Sequence, residues 1–207
     1  MTVHIKRLST HIRKDQLIRG VLNVIARDGM KHLSVARVSR EVGLVPSALY
    51  RHFHSKDEML DAVLEYIQER IQNNFREVCE QTEDPLERIH RFLIRQLKLI
   101  HESPALPTVV FSQGLFSDVN DRRQKMFQAL GEFRRHLISI VQTGQKTGQI
   151  RKDVSPETIV LFWIGILQPA ALLYHLSNGK YDIEKHGKKA WELYKEMITP
   201  KQERGRK

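Results

Sequence analysis

Tyr50, Arg51, His52, His54 and Lys56 crowd a phenol, a guanidinium, two imidazoles and an ammonium into one short stretch, and such a set of donors is suited to phosphate oxygens and the acceptor edges of bases. Metal binding and catalysis find less support. His90 and His101 stand eleven residues apart on one expected helix and cannot share an ion, and His136 and His175 have no Cys or Glu partner at ligand spacing. The chain has no HExxH, no phosphate loop, no nucleophile elbow and no paired carboxylates in an apolar setting, so it is read as a non-enzyme that needs no cofactor and no metal. The lone Cys79 excludes an intramolecular disulfide and a multi-cysteine zinc site, and it is read as a small apolar filler.

The elements that must present these donors lie between Leu33 and Lys56. Ser34 supplies an N-cap oxygen, Val35, Val38 and Val42 recur at helical spacing, and Gly43 ends the first helix because glycine enters the left-handed region at little cost. Leu44 packs back on Val38 as the chain reverses. Pro46 opens a second helix, where its missing N–H is harmless. Leu49 and Phe53 face inward, while the small residues Pro46, Ser47 and Ala48 let the leading end approach base edges closely. This is the composition of a DNA-recognition helix, although an ordinary helical hairpin with a solvated face has the same turn.

Charge separates the two readings. Residues 1–56 hold eleven Lys and Arg against three Asp and Glu, a net of +8, whereas residues 57–200 hold nineteen against twenty. Residues 201–207 add a net of +3, which completes the formal +10 of the chain. An excess that coincides with the helical pair is what phosphate neutralisation requires.

The run Leu49-Tyr50-Arg51-His52-Phe53-His54-Ser55-Lys56-Asp57-Glu58, preceded by Gly43-Leu44 and by a helix ending near Gly29, resembles the N-terminal domain of tetracycline-repressor (TetR) type transcriptional regulators. The likeness covers about the first quarter of the chain; beyond it only length and helical character agree. It implies that Ser34 contacts phosphate, that Pro46, Ser47 and Ala48 face the groove, that Tyr50 and Arg51 touch bases or backbone, and that His52 and Lys56 bind phosphate. Two positions depart from the family pattern. Val45 stands where a capping Ser or Thr is common, and Ala36 stands where an arginine can read a base, so the operator does not carry over; Arg37 beside it is expected to reach the backbone.

The remaining punctuation is helical. Residues 11–28 bring Leu17, Val21, Val24 and Ile25 onto one face, completing a three-helix head. Ser55 and Glu58 form a capping box at the start of a long connector carrying Leu60, Val63, Leu64, Ile67, Ile71, Phe75 and Val78. Asp84-Pro85 opens another helix that ends at Ser103-Pro104. Pro104, Pro107 and Gly114 break the apolar segment after it. Helices are expected over residues 119–143, from Ser155-Pro156 to Asn178-Gly179, and over residues 184–198. No period-two stretch bounded by hairpin turns appears, so the fold class is all-α: an N-terminal helix-turn-helix domain with a basic arm (1–56), a helical effector-binding and dimerisation domain (57–200) and a basic tail (201–207) that is a solvated end.

Residues 159–176, IVLFWIGILQPAALLYHL, approach membrane-spanning length, but Gln168, Pro169 and His175 interrupt them and no second such run exists. The segment is read as buried, partly against a second subunit, with Trp163, Leu167, Leu172, Trp191 and Tyr194 as interface candidates. A ligand pocket is expected among Phe92, Gln96, Phe111, Phe116, Phe133, His136, Trp163 and Gln168, aromatic and amide groups spread over the C-terminal helices. No apolar leader follows Met1, so the expected setting is the cytoplasm and no membrane partner is expected. The function these features imply is a homodimeric regulator on a pseudo-palindromic double-stranded DNA operator, a repressor released by a small apolar or amphipathic effector. An activator, or a DNA binder of low specificity, would carry the same head.

Overall fold

The computed structural model describes residues 10–110 and 120–200, and every regular element within them is helical. The head begins with α1 (Thr10–Asp28), turns at Gly29 in the left-handed region with φ 80°, and passes through one 3-10 turn into α2 (Val35–Glu41). Ser34 Oγ accepts the Arg37 backbone N–H at 3.3 Å, satisfying one of the free donors at the start of α2. The chain then reverses at Gly43, φ 67°, into α3 (Pro46–Tyr50). Val45 gives α3 no side-chain cap, and Pro46 in its first turn reduces the need for one.

Val38, Leu49 and Phe53 meet Leu17, Val21, Val24 and Ile25 of α1 in a dry core. The approach of α1 to α2 depends on Gly20, where a Cβ would lie 2.2 Å from Val42 Cγ1.

The connector α4 (Lys56–Gln81) has 26 residues and is therefore about 39 Å long. Ser55 Oγ accepts the Glu58 N–H at 3.1 Å, and the Glu58 carboxylate returns to accept the N–H of His54 at 2.7 Å, one residue earlier than a standard capping box. Next come α5 (Pro85–Glu102), capped by Asp84, and the short α6 (Ala105–Val110). After them lie α7 (Asn120–Lys146), α8 (Pro156–Leu176), capped by Ser155, and α9 (Ile183–Ile198), capped by Asp182. The order and ends agree closely with the expected punctuation, because caps, prolines and Gly-containing stops act locally. Phe111, Phe116, the first nine residues of the basic arm and the tail 201–207 lie outside the described residues.

α5 is the central strut, packed against α4, α7, α8 and α9. A second core surrounds it, containing Ile89, Phe92, Leu93, Leu137 and Ile159. The head core does not stop at residue 56. It continues through Met59, Leu60, Val63 and Ile67 of α4 and takes in Leu99 of α5 and Ala105, Leu106 and Val109 of α6.

Three aromatic residues expected at a subunit interface are instead inside this core. Trp163 is 0% exposed and donates its indole N–H to the Ile89 carbonyl at 3.2 Å. Tyr194 donates its hydroxyl to the Ile159 carbonyl at 3.0 Å, and Trp191 stacks on His90 with centroids 4.5 Å apart. Each large ring is buried with its polar edge or face satisfied by α5 or α8, so none is left for a partner. The outward face of α8 is lined instead by Leu161, Phe162, Leu172, Leu173 and Leu176, all exposed, with Leu193 of α9 also exposed. By length and composition α8 could cross a membrane; its inner face is packed in the core.

Candidate DNA-binding face and effector cavity

The exposed side of the head is built by α2, the Gly43 turn, α3 and the start of α4. Pro46, Ser47, Tyr50, Arg51, His52 and Lys56 are exposed there, and Ser34 and Ala48 are half-buried. Arg51, His52 and Lys56 make no ion pair with any described residue, so their charge or donor capacity faces solvent. Lys56 also stands in the first turn of α4, where the helix dipole adds its own attraction for an anion. His54 is different: its Nδ1 lies 2.7 Å from the Tyr50 carbonyl, which ties the imidazole to the end of α3.

Arg37 does not stand free as expected. Its guanidinium bonds Asp28 at 3.0 Å, while Arg27 bridges Asp28 and Glu41, joining α1 to α2. The hydrogen bond from Arg27, against some desolvation and with help from Arg37, holds the Asp28 carboxyl below its usual range. Glu41 is lowered by hydrogen bonds from Arg27 and then Asn23. A network of this kind sets the tilt of α2 beneath the reading helix.

The residue missed at the sequence level is Val45, 63% exposed at the leading end of α3. An apolar side chain held outward beside Pro46 and Ser47 is placed to meet a thymine methyl. Its failure to cap the helix was legible; its outward direction was not, because that depends on how α3 packs against α2.

Between α4, α5, α6, α7 and α8 lies a cavity of about 460 Å³. It runs along α4 from Asp61 to Phe75, about 21 Å at 1.5 Å per residue. Five expected pocket residues, Phe92, Gln96, Phe133, His136 and Gln168, line it, as does Leu167, which was expected at the subunit interface. Trp163 does not; it stands behind Phe92, stacked at 5.5 Å, as the wall's support. The end far from the head is aromatic: Phe75 meets Phe92 edge-on at 5.7 Å and stacks on His136 at 4.5 Å. At the end near the head, Ile67, Leu99 and Leu106 line the cavity and also belong to the head core.

A buried arginine connects this wall to the reading head. Arg122, on the first turn of α7, bonds Asp61 Oδ1 at 2.6 Å, Asp57 Oδ1 at 2.9 Å and the Asp57 carbonyl at 3.0 Å. Burial opposes its charge, but the bonds to Asp61 and Asp57 outweigh that and keep the guanidinium more basic than usual. The clamp grips α4 one residue after Lys56.

The family model for bacterial regulatory proteins of the tetR family matches residues 17–63, and that for the C-terminal region of YsiA-like proteins matches residues 60–197. The chain belongs to the TetR family. Among curated proteins, the nucleoid occlusion factor SlmA of Vibrio vulnificus (strain YJ016) is 21% identical over 187 residues, covering 90% of this chain and 95% of its own. The ketosteroid transcriptional regulator KstR2 of Mycobacterium tuberculosis is similar in structure, with TM-score 0.74, 20% identity and coverage of 91% of this chain and 96% of its own. The transcriptional regulator FadR of Bacillus subtilis, in complex with stearoyl-CoA, has TM-score 0.74 at 18% identity, covering 87% of this chain and 96% of its own. These TetR-like structures share the fold, and the chain is a TetR-family DNA-binding transcriptional regulator.

Proposed function

We propose that the protein is a homodimeric repressor that holds two heads on a pseudo-palindromic operator and releases it when a small apolar or amphipathic effector fills the cavity along α4. The observation that carries this reading is the shared wall: Ile67, Leu99 and Leu106 face the cavity and are also part of the core that supports α1 to α3. Close-packed interiors transmit displacement, so an occupant that pushes these residues changes the seat of the head. An effector acts only through its differential affinity for the two states; a hundred-fold preference supplies roughly 2.7 kcal/mol of coupling.

The length and apolar lining of the cavity suit an extended chain, a reading supported by the stearoyl-CoA complex of the Bacillus subtilis relative. Dimerisation is assigned to the exposed apolar face of α8, of which Leu172 is the retained interface candidate, together with Leu193 of α9. DNA contact is assigned to Ser34, Pro46, Ser47, Ala48, Tyr50, Arg51, His52 and Lys56, with Val45 added and Arg37 reaching the backbone only if it leaves Asp28.

The test is a footprint on the DNA flanking the protein's own gene, across a salt series and with apolar chains added. A two-fold-symmetric protected site, lost when the cavity is filled, is the expected result. The name of the SlmA relatives supports a second reading, a DNA binder whose output is not transcription of a neighbouring gene. Specific sites scattered over the chromosome, with none beside the protein's own gene, would favour it.

A further inference from the structure

Gln96 lies in the wall of the effector cavity on α5, 5% exposed, and its side-chain Nε2 meets no hydrogen-bond partner among the described residues. Along that helix it sits between Phe92, which belongs to the aromatic end, and Leu99 and Ile100 toward the head. A primary amide buried among apolar side chains gives up its water, and folding returns nothing in exchange while its N–H groups remain unpaired. Buried polar groups are nearly always satisfied, and because the Gln96 side chain borders the cavity, a turn about its last torsion brings Nε2 to an occupant that can satisfy it.

We propose that Gln96 is the polar anchor of the effector site, donating from Nε2 to a neutral carbonyl acceptor, as in a ketone or an ester, on an otherwise apolar ligand. The donor calls for an acceptor, and the charges around the cavity decide which kind. Among the described residues its ionisable lining is Asp61, Glu65, Glu132, Lys125 and His136, and its carboxylates and its ammonium are already paired: Asp61 with Arg122 at 2.6 Å, Glu65 with Lys14 at 3.4 Å, Glu132 with Arg135 at 3.9 Å and Lys125 with Asp121 at 2.6 Å. A free carboxylate entering this site loses its hydration and finds no unpaired lysine or arginine in the described lining, whereas a neutral carbonyl gains the amide hydrogen bond without that penalty. A plain hydrocarbon fills the volume but leaves Nε2 unpaired. The anchor thus makes a mostly apolar cavity selective, as a few placed polar groups do in ligand sites generally.

This inference rests on the cavity being the effector site, and the test separates the two. Methyl laurate, tridecane and laurate compete with an apolar fluorescent dye for the full-length protein, for Gln96→Leu and for the more flexible Gln96→Met, with thermal unfolding confirming that each variant is folded. The wild type is expected to bind methyl laurate about ten-fold more tightly than tridecane or laurate, and in both variants ester and alkane converge to within about two-fold. Equal binding of ester and alkane to the wild type, or a preference that survives in either folded variant, overturns the role of Gln96 while leaving the cavity as an effector site. Failure of all three compounds to displace the dye overturns both.

Discussion

At the scale of single residues, the head divides its charges between internal ion pairs and an open surface. Arg27 and Arg37 are committed to Asp28 and Glu41, whereas Arg51 and Lys56 point outward without ion partners among the described residues. Lys56→Ala is therefore expected to weaken binding to all DNA sequences and to reduce the salt slope of the affinity by about one, with sequence preference unchanged. Binding titrations across a salt series measure it, and an unaltered slope would remove Lys56 from the phosphate contacts. The Asp28 and Glu41 pair makes an acid-side prediction. Their folded pKa values lie below the unfolded ones, so their contribution to stability is complete above about pH 5 and is lost as pH falls through the lower folded values. The melting temperature of the wild type should fall more steeply between about pH 5 and pH 2 than that of Asp28→Asn/Glu41→Gln. Parallel curves would show that the network contributes nothing to folding.

At the scale of elements, α4 joins the head to the cavity and Arg122 holds its first turns. The connector runs from the exposed Lys56 at one end to the aromatic end of the cavity at the other, and α7 grips its first two turns through Asp57 and Asp61. Arg122→Met keeps the aliphatic packing and removes the clamp. Because both carboxylates keep much of their hydration, the expected loss is about 1–2 kcal/mol rather than the larger cost of opening a fully buried pair. Chemical denaturation measures that loss. The same variant should lower DNA affinity even with no ligand present, because the start of α4, and Lys56 with it, is no longer held; unchanged affinity would place the clamp outside the coupling path. Helix ends and breaks were legible in advance because Ser34, Ser55, Asp84 and Ser155 cap their own helices within three residues, whereas the Asp182 cap of α9 emerged only in the structure. The clamp was not, since Arg122 stands 61 residues from Asp61 in the chain.

At the scale of the whole molecule, the exposed apolar face of α8 is the feature that a single subunit leaves incomplete. Leu161, Phe162, Leu172, Leu173 and Leu176 together exceed the scattered apolar exposure that a monomer tolerates. Leu161→Glu combined with Leu176→Glu should shift the protein to monomer in sedimentation and reduce operator affinity by more than ten-fold, since one head then binds without the other. A variant that stayed dimeric with full affinity would move the interface to another face. The physics that assigns this face also withdraws Trp163, Trp191 and Tyr194 from it: Trp163 and Tyr194 bury their rings with a polar edge hydrogen-bonded, Trp191 is buried against His90, and smaller leucines are left outside.

The sequence by itself determined what depends on near neighbours: an all-helical chain, the positions of its caps and breaks, the helix-turn-helix around Gly43, the basic excess on residues 1–56 and a set of residues that includes most of the cavity's aromatic and amide groups. Tertiary structure alone decided which apolar residues became core and which became surface, that Arg37 is held by Asp28, that Arg122 ties α7 to α4, and that Gln96 is buried without a partner. The reason is range. Capping and periodicity act over three or four residues and can be read along the chain, whereas burial and pairing depend on helices meeting across tens of residues, where several packings satisfy the same pattern.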